Sequence, residues 1–243
     1  MIELEQQGDV FVLTMVDAEN RWNTTFTRAF AAALDEVEAS TGAAALVTAS
    51  ADPKFFSNGL DLDWIQADGD HPGGDRAAFG AEYMALLGRL ILLPMPTVAA
   101  IGGHAFGAGF MVALAHDIRI AREDRGFLCA NELQIGLTIP EPEIALFRHK
   151  LPAPAFHETV MLAKRWTGTA AMDAGFVEAV HPAADVVPQA VARAAEVAPL
   201  ATNREAYGWQ KRALYGQDAV LNGPHGAGHL LLNARDHLSP DRP

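Results

Sequence analysis

Two glycine-rich segments are the part of this sequence most suited to chemistry. The first is Phe55–Leu62 (FFSNGLDL), and the second is Pro96–Phe110 (PTVAAIGGHAFGAGF). The second predicts a tight turn leading directly into a helix that is apolar on every side and is therefore buried. The first N–H groups of such a helix have no partners within it, so they form an anion site that the helix dipole strengthens. From these residues alone, glycines that only allow close packing remain the alternative.

Two common classes of anion-binding protein are excluded. The second segment lacks the Gly-Lys-Ser/Thr ending of a phosphate loop, and Gly107-x-Gly109 lacks the third glycine of the dinucleotide fingerprint. The chain carries 30 acidic against 18 basic residues, a formal charge of −12. A surface this acidic repels phosphate backbones and anionic lipids, so we expect neither nucleic acid nor a membrane as a partner.

The elements that would position these segments recur at strand–helix–strand spacing, which predicts an α/β fold. Residues 2–6 and 9–15 predict a hairpin, and residues 68–75 predict a mobile surface loop. Further strands are predicted at 44–48, 97–101, 118–121 and 177–180. Helices are predicted at 26–39, 76–93, 107–116, after residue 140 and towards the C-terminus.

Length and composition favour a globular protein of the cytoplasm. The 243 residues are half hydrophobic, which excludes intrinsic disorder, and the length allows either one large domain or one domain with an appended small element. The single cysteine, Cys129, excludes an internal disulfide and a CxxC metal site, so no metal is predicted. The first residues lack the pattern of a signal peptide, and no apolar run is long enough to span a bilayer.

The two segments, taken with Asp117–Ala121, resemble the crotonase (enoyl-CoA hydratase/isomerase) superfamily. In that family Phe-Ser-x-Gly-x-Asp-Leu precedes Pro-x-(apolar)-Ala-Ala-(apolar)-x-Gly-x-Ala-x-Gly-x-Gly and then Asp-(apolar)-Arg-(apolar)-Ala. Here these motifs match Phe56–Leu62, Pro96–Gly109 and Asp117–Ala121, in the same order. The resemblance extends over residues 2–180. It implies a crotonase-type spiral of repeated ββα units followed by a C-terminal helical region.

The resemblance also assigns an oxyanion hole, which would hold the thioester oxygen of an acyl-CoA as an enolate forms. Carried over position by position, its two main-chain N–H groups belong to Leu60 and Ala108. Ala108 stands where glycine is usual, but a main-chain donor does not depend on the side chain.

One of the two glutamates that the family's hydratases use is missing. The first position is Met111, which cannot transfer a proton, and the second is matched by Glu132. The match needs one extra residue between Ala121 and Glu132, and Gly136 and Pro140 support it. A single glutamate beside an oxyanion hole implies the family's Δ3,Δ2-enoyl-CoA isomerases, in which it moves a proton from C2 to C4.

Glu132 could also be an exposed loop carboxylate or a helix cap, because glutamate is rarely buried. Its apolar neighbours favour burial, which would raise its pKa and strengthen it as a base. These neighbours are Phe127, Leu128, Leu133, Ile135 and Leu137.

Other reactions stay open at this stage. Glu141 or Glu143 could supply a second acid for hydration or thioester hydrolysis, although acids in a helix's first turn more often stabilise that helix. A non-catalytic acyl-CoA-binding subunit is a third possibility. Of the nearby histidines, His104 is expected to steady its turn, and His116 to carry partial positive charge at a helix end.

The resemblance implies further contacts for the substrate, whose CoA is the only cofactor-like group expected. The CoA-side candidates are Lys54, Ser57, Asn58, Gly59, Asp61, Gly107, Lys211 and Arg212. Asp61 could instead brace its own loop, and each basic residue could instead be an exposed surface charge. The candidate walls of the acyl tunnel are Trp64, Phe110 and Met111, for which ordinary core packing is the alternative.

The resemblance implies two regions and an assembly. Residues 1–195 would form the spiral core with the acyl-CoA site, and residues 196–243 a helical region at the subunit interface. A homotrimer, or a dimer of trimers, is the expected assembly.

Overall fold

The computed structural model describes residues 1–67, 74–217 and 226–237. The loop predicted at 68–75 falls mostly on residues 68–73, outside the described residues. Within the described ranges, no helix is both long and apolar enough to cross a membrane.

The strands of residues 1–67, 74–217 and 226–237 form two sheets. Their bounds are β1 (Ile2–Gln7), β2 (Val10–Met15), β3 (Ala45–Ser50), β4 (Phe55–Ser57), β5 (Thr97–Ile101), β6 (His104–Phe106), β7 (Ile118–Arg122), β8 (Leu128–Cys129) and β9 (Ala179–His181). The larger sheet has the order β1-β2-β3-β5-β7-β9, and the smaller has the order β4-β6-β8. β1 and β2 pair antiparallel through a turn at Gly8, whose φ is +61°, so the predicted hairpin is confirmed. The other neighbours pair parallel, as the α/β prediction requires.

The helices lie close to the predicted ranges. Their bounds are α1 (Thr24–Glu38), α2 (Leu62–Gln66), α3 (Arg76–Leu92), α4 (Ala108–Ala115), α5 (Glu141–Lys150), α6 (Ala153–Val160), α7 (Gly168–Asp173), α8 (Val186–Val197), α9 (Arg204–Tyr215), α10 (Ala227–Leu232) and α11 (Ala234–His237). Short 3-10 helices span Glu132–Ile135, Ala183–Asp185 and Ala198–Ala201. Every residue of α4 is buried, as its uniformly apolar sequence predicts.

A strand–strand–helix unit occurs three times in the part of the chain that the structure describes. The units are β3-β4 with α2 and α3, β5-β6 with α4, and β7-β8 with α5. In each unit the first strand belongs to the larger sheet and the second to the smaller sheet. The predicted spiral of ββα units is therefore present, and the segments that follow β4, β6 and β8 leave the smaller sheet at one edge.

The larger sheet is covered on both faces, and the alternation of side chains in β2 shows how. Val10 and Val12 pack with Val186 and Ala190 of α8 on one face, while Phe11 and Leu13 join the main core on the other. In the C-terminal region, α10 packs against α3 and α5 of the same chain. The division into residues 1–195 and 196–243 stays a prediction.

His116 differs from its prediction, because it is buried and neutral. One ring nitrogen lies 2.8 Å from the Val112 carbonyl oxygen and the other 2.8 Å from the Thr48 hydroxyl. Burial lowers the pKa of His116 to about 3. It therefore serves as a neutral hydrogen-bonding core residue, and the expected positive charge at the helix end is absent.

This burial predicts a specific loss of stability in acid. Below pH 6.5 the unfolded chain binds a proton at His116 that the folded chain refuses, so stability falls as the pH drops from 6.5 towards 3. Between pH 7.5 and 5, His116 should account for a loss of about 2 kcal/mol. Urea unfolding of the wild type and of His116→Gln at pH 7.5 and at pH 5 measures this loss of stability. Equal pH dependence in the two proteins would contradict this assignment.

Candidate active site

The three strands of the smaller sheet deliver the predicted catalytic groups to one place. β4 leads into Asn58–Leu60, β6 into Gly107 and Ala108, and β8 into Glu132. The strands are parallel, so their carboxyl ends lie at the same edge, where ligands of α/β folds commonly bind. The fold thus brings together groups that are far apart in sequence.

Ser57 holds the first segment from within the core. Its hydroxyl accepts a hydrogen bond from the Trp22 indole at 3.0 Å and donates one to the Asn20 carbonyl at 2.7 Å. The Gly59 N–H also donates to it, at 3.3 Å. Ser57 is fully buried, so it braces the segment; the prediction that it contacts the CoA side is not supported.

The orientation of the Leu60 amide follows from the strand-like pairing of its neighbours. The Trp22 N–H donates to the Gly59 carbonyl at 2.8 Å, and the Asp61 N–H donates to the Trp22 carbonyl at 3.0 Å. In such a parallel bridge Leu60, which lies between Gly59 and Asp61, turns its own N–H away from Trp22. The Leu60 amide therefore points away from this pairing, and Leu60 lines the adjoining cavity.

Gly107 permits the close approach between the second segment and Glu132. Its φ is +49°, a region that favours glycine, and its N–H donates to the Cys129 carbonyl at 2.9 Å. A Cβ atom at Gly107 would lie 3.0 Å from Oε1 of Glu132. Ala108 follows as the first residue of α4, where an N–H has no acceptor within the helix.

Glu132 is a buried carboxyl. Its exposed fraction is 8%, and its Oε2 atom has no hydrogen-bond partner among the described residues. Burial raises the pKa of Glu132 above its ordinary value of 4.5. A carboxylate with few local hydrogen bonds and a raised pKa is a stronger base than one in water, as proton abstraction requires.

These groups line a cavity of about 370 Å³. A smaller cavity of about 60 Å³ adjoins it and shares Leu60, Ala108, Glu132 and Leu137. The larger cavity is lined by Leu60, Phe79, Gly80, Tyr83, Met84, Ala108, Met111, Glu132, Gly136, Leu137, Thr138, Pro140 and Glu143. The junction between the two cavities is thus formed by both donor segments and the carboxyl.

Two further polar residues line the cavity: Tyr83, which the sequence analysis did not consider, and Glu143, which it left open as a second acid. Tyr83 is buried on α3, and its hydroxyl donates to the Ala108 carbonyl at 2.6 Å. Burial raises the pKa of Tyr83, and the charges of Glu143 and then Glu132 raise it further, so both carboxyls lie near it. Glu143 is itself buried, whereas Glu141 is exposed in the first turn of α5. A tyrosine within the otherwise mostly apolar sequence of α3 was the only local signal.

Of the three residues predicted to line the acyl tunnel, one lies at the cavity and two do not. Met111 lines the cavity, but Trp64 and Phe110 do not. Trp64 packs edge-to-face on Phe79, with ring centroids 5.5 Å apart, and Phe110 packs on Phe147 at 5.7 Å. Trp64 and Phe110 are therefore core residues, which corrects the prediction for both.

The polar residues of the first segment mainly brace it. The Asn58 side-chain amide donates to Glu19 at 2.9 Å. Asp61 accepts from the Trp64 N–H at 3.2 Å, which caps α2, and from Asn23 at 3.1 Å. Asn58, Gly59 and Gly107 also line the smaller cavity, whereas Asp61 does not.

The basic residues predicted to bind the CoA phosphates differ in their exposure. Lys211 is only 4% exposed and forms a buried ion pair with Asp117 at 2.7 Å, so its predicted role at the phosphates is not supported. Lys54 is exposed beside the first segment, and Arg212 is exposed on α9. A role for these two in phosphate binding stays a prediction.

Comparisons with known proteins agree with this geometry. The sequence model described as enoyl-CoA hydratase/isomerase matches residues 5–209. Enoyl-CoA delta isomerase 2, peroxisomal, from Arabidopsis thaliana is 33% identical over 246 residues, which cover 99% of each chain. An enoyl-CoA hydratase/isomerase family protein from Pseudomonas syringae has a TM-score of 0.81 at 25% identity, covering 98% of both chains. Human mitochondrial delta3-delta2-enoyl-CoA isomerase has a TM-score of 0.80 at 23% identity, covering 97% of this chain and 87% of that one, and shows the fold alone.

The spiral of strand–strand–helix units, with two glycine-rich segments and a carboxyl at one edge of the smaller sheet, defines a crotonase-fold enzyme. The family match covers most of the sequence, and the chain belongs to the enoyl-CoA hydratase/isomerase family. Its full-length similarity to a delta isomerase makes it an isomerase-like member.

Proposed function

We propose that this enzyme converts a 3-enoyl-CoA into the trans-2-enoyl-CoA, with Glu132 as the proton shuttle. The observation that carries the proposal is the buried Glu132 carboxyl, which lines one cavity together with the two donor segments. Met111 lines the same cavity and leaves the hydratases' other glutamate position without an acid. The relative named as an enoyl-CoA delta isomerase supports the substrate class.

The proposed reaction transfers one proton within the substrate. The Glu132 carboxylate removes a proton from C2, and the electrons of that bond move into the thioester, whose oxygen becomes an enolate oxygen. The N–H groups of Leu60 and Ala108 stabilise that oxygen. Protonated Glu132 then gives the proton to C4, and the double bond moves from C3=C4 to C2=C3. No atom is gained or lost, so the reaction needs no cofactor beyond the CoA of the thioester.

The pH dependence should follow the protonation of Glu132. Only the carboxylate accepts the C2 proton, so kcat/KM should fall as the pH drops through the raised pKa of Glu132. Initial rates from pH 4 to 9 with 3-hexenoyl-CoA give this profile. The acid limb should persist in Glu143→Gln, which removes the other carboxyl named in the cavity. Loss of the limb in that variant would contradict the assignment to Glu132.

Hydration is the second candidate, because Glu143 gives the cavity a second carboxyl. Isomerisation is preferred, since Glu143 is absent from the wall shared by both cavities, where Glu132 lies with the donor segments. Two assays separate the reactions. Isomerisation of 3-hexenoyl-CoA increases the absorbance of the conjugated thioester, and hydration of crotonyl-CoA decreases it. Loss of crotonyl-CoA without any isomerisation would replace the first proposal with the second.

The proposal extends to the substrate's far end and to the assembly. Lys54 and Arg212 are the exposed cations that we propose for the CoA phosphates.

A homotrimer or a dimer of trimers is the proposed assembly, which light scattering would test. A cytoplasmic location is proposed from the sequence, although the Arabidopsis relative is named as peroxisomal.

A further inference from the structure

Tyr83 reaches the second donor segment through its hydroxyl group. The hydroxyl donates to the Ala108 carbonyl oxygen at 2.6 Å, and the residue as a whole is only 3% exposed. Ala108 is the first residue of α4, so its carbonyl points along the helix and its N–H points out of the N-terminal end. A bond that holds the carbonyl therefore also limits how far the N–H of the same residue can turn.

The Ala108 N–H is held from two sides. On the side of β8, the N–H of the preceding residue, Gly107, donates to the Cys129 carbonyl at 2.9 Å. On the side of α3, the Tyr83 hydroxyl holds the Ala108 carbonyl. The first of these bonds joins main chain to main chain, whereas the second depends on one side-chain hydroxyl. A single substitution can therefore remove the second bond and leave the first.

The ring of Tyr83 reaches the first donor segment through Trp22. The centroids of the two rings lie 5.3 Å apart. Trp22 donates its main-chain N–H to the Gly59 carbonyl at 2.8 Å and its indole N–H to the Ser57 hydroxyl at 3.0 Å. The main-chain bond is one of those that orient the Leu60 amide. Tyr83 thus contacts a support of each donor segment.

The two donor segments also lie against each other. A Cβ atom at Gly59 would be 3.7 Å from the Ala108 nitrogen. An oxyanion hole needs each donor at about 2.7–3.1 Å from the same oxygen. A small change in the spacing of the segments would therefore weaken one of the two hydrogen bonds.

We infer that Tyr83 is a positioning residue of the oxyanion hole, which sets the Ala108 N–H relative to the Leu60 N–H so that both reach one thioester oxygen. The inference rests on the proposed function, because it takes these two N–H groups as the donors. Burial raises the pKa of Tyr83, so the hydroxyl keeps its proton and remains a donor at neutral pH.

Infrared spectroscopy of bound hexanoyl-CoA, labelled with carbon-13 at the thioester carbonyl, tests the inference without turnover. Hydrogen bonds to the oxygen weaken the C=O bond, so the wild type should lower its stretching frequency below that of the free thioester. Tyr83→Phe removes the hydroxyl and keeps the ring against Trp22, and it should return the frequency part of the way to the free value. An unchanged frequency in this variant would overturn the inference.

Kinetics of the same variant give a second readout. With 3-hexenoyl-CoA, Tyr83→Phe should lower kcat by about 10- to 100-fold, the scale expected when a catalytic group is misplaced. Its Kd for hexanoyl-CoA should change little, because the cavity keeps its shape. A loss that appears in Kd and not in kcat would assign Tyr83 to substrate binding and overturn the inference.

Tyr207→Phe is the matched control, because it removes the same hydroxyl from a half-buried tyrosine of α9 that does not line the cavity. It should keep the wild-type frequency and kcat, and an equal loss in this variant would overturn the inference. Thermal unfolding shows whether Tyr83→Phe is folded. If it is not, Trp22→Phe decides, since it keeps a ring beside Tyr83 but loses the indole bond to Ser57. It should move the frequency in the same direction, and no change would overturn the inference.

The wild type separates failure of the inference from failure of the proposed function. A wild type that binds hexanoyl-CoA without lowering the carbonyl frequency would count against the oxyanion hole itself. A lowered frequency without isomerase activity would count against the proposed reaction and leave the comparison with Tyr83→Phe intact.

Discussion

Glu132→Gln should lower kcat for 3-enoyl-CoA isomerisation by about 10²–10⁴-fold, the usual contribution of general acid–base catalysis. Glutamine has nearly the shape of glutamate but cannot accept the C2 proton. Binding of a saturated acyl-CoA should therefore change little. Steady-state kinetics with 3-hexenoyl-CoA and calorimetry with hexanoyl-CoA measure the two effects separately.

Proton exchange gives an independent check of the same variant. In D₂O the wild type should incorporate deuterium at C2 of a bound acyl-CoA, and Glu132→Gln should not. Glu141→Gln, the same chemical change at an exposed site, should behave as the wild type. Isomerisation or exchange that persists at the wild-type rate in Glu132→Gln would refute the shuttle.

Gly59→Ala should reduce kcat by about 10²–10³-fold, the usual cost of losing one oxyanion donor. Gly59 has φ +83°, and a Cβ atom there would lie 2.8 Å from the Phe106 carbonyl oxygen. Because that contact is with main chain, the segment must move and carry the Leu60 amide with it. Kinetics with 3-hexenoyl-CoA give the loss, and thermal unfolding shows whether the variant is folded.

A matched control separates backbone strain from displacement of the donor. Gly42 has φ +78°, yet a Cβ atom there would meet nothing within 4 Å. Gly42→Ala should lower the free energy of unfolding by about 1–2 kcal/mol, the ordinary cost of placing a residue with a Cβ atom in a left-handed conformation. Its activity should stay that of the wild type. Equal activity of the two folded variants would argue against a catalytic role for the Leu60 amide.

The two donor segments could be predicted from sequence because their requirements are local. Gly59 and Gly107 both have positive φ and face close neighbours, so glycine is needed whatever surrounds them. The hairpin and the buried α4 are equally local, since each follows from a turn residue or from an apolar run. Such features leave a signal within a few residues.

The remaining side chains could not be placed from sequence because their partners are distant. Lys211 pairs with Asp117, 94 positions away, and Ser57 binds the Trp22 indole, 35 positions away. Lysine and serine in those motifs also suit ligand binding, so the residue types alone could not decide. Glu143 faces the cavity because of how α5 packs on α4, which only the fold determines.

Glu132 was predicted to be buried, but the reason was partly wrong. The apolar neighbours Leu133 and Ile135 are 50% and 49% exposed and do not enclose it. The carboxyl is instead covered on the side of Gly107, at the cavity wall. A 3-10 helix thus turns two apolar side chains outward and one acid inward, contrary to the usual pattern.

The reactivity of the buried Cys129 thiol can be used to measure local unfolding around β8. Its Sγ donates to the Ala163 carbonyl at 3.4 Å, and burial raises the pKa of the thiol to about 11. Alkylating reagents attack the thiolate, so at neutral pH they label Cys129 only when β8 opens. The carbonyl of Cys129 also holds the Gly107 N–H, and the chain has no other cysteine. The labelling rate therefore measures how often the catalytic loops separate, and a bound thioester that bridges them would slow it.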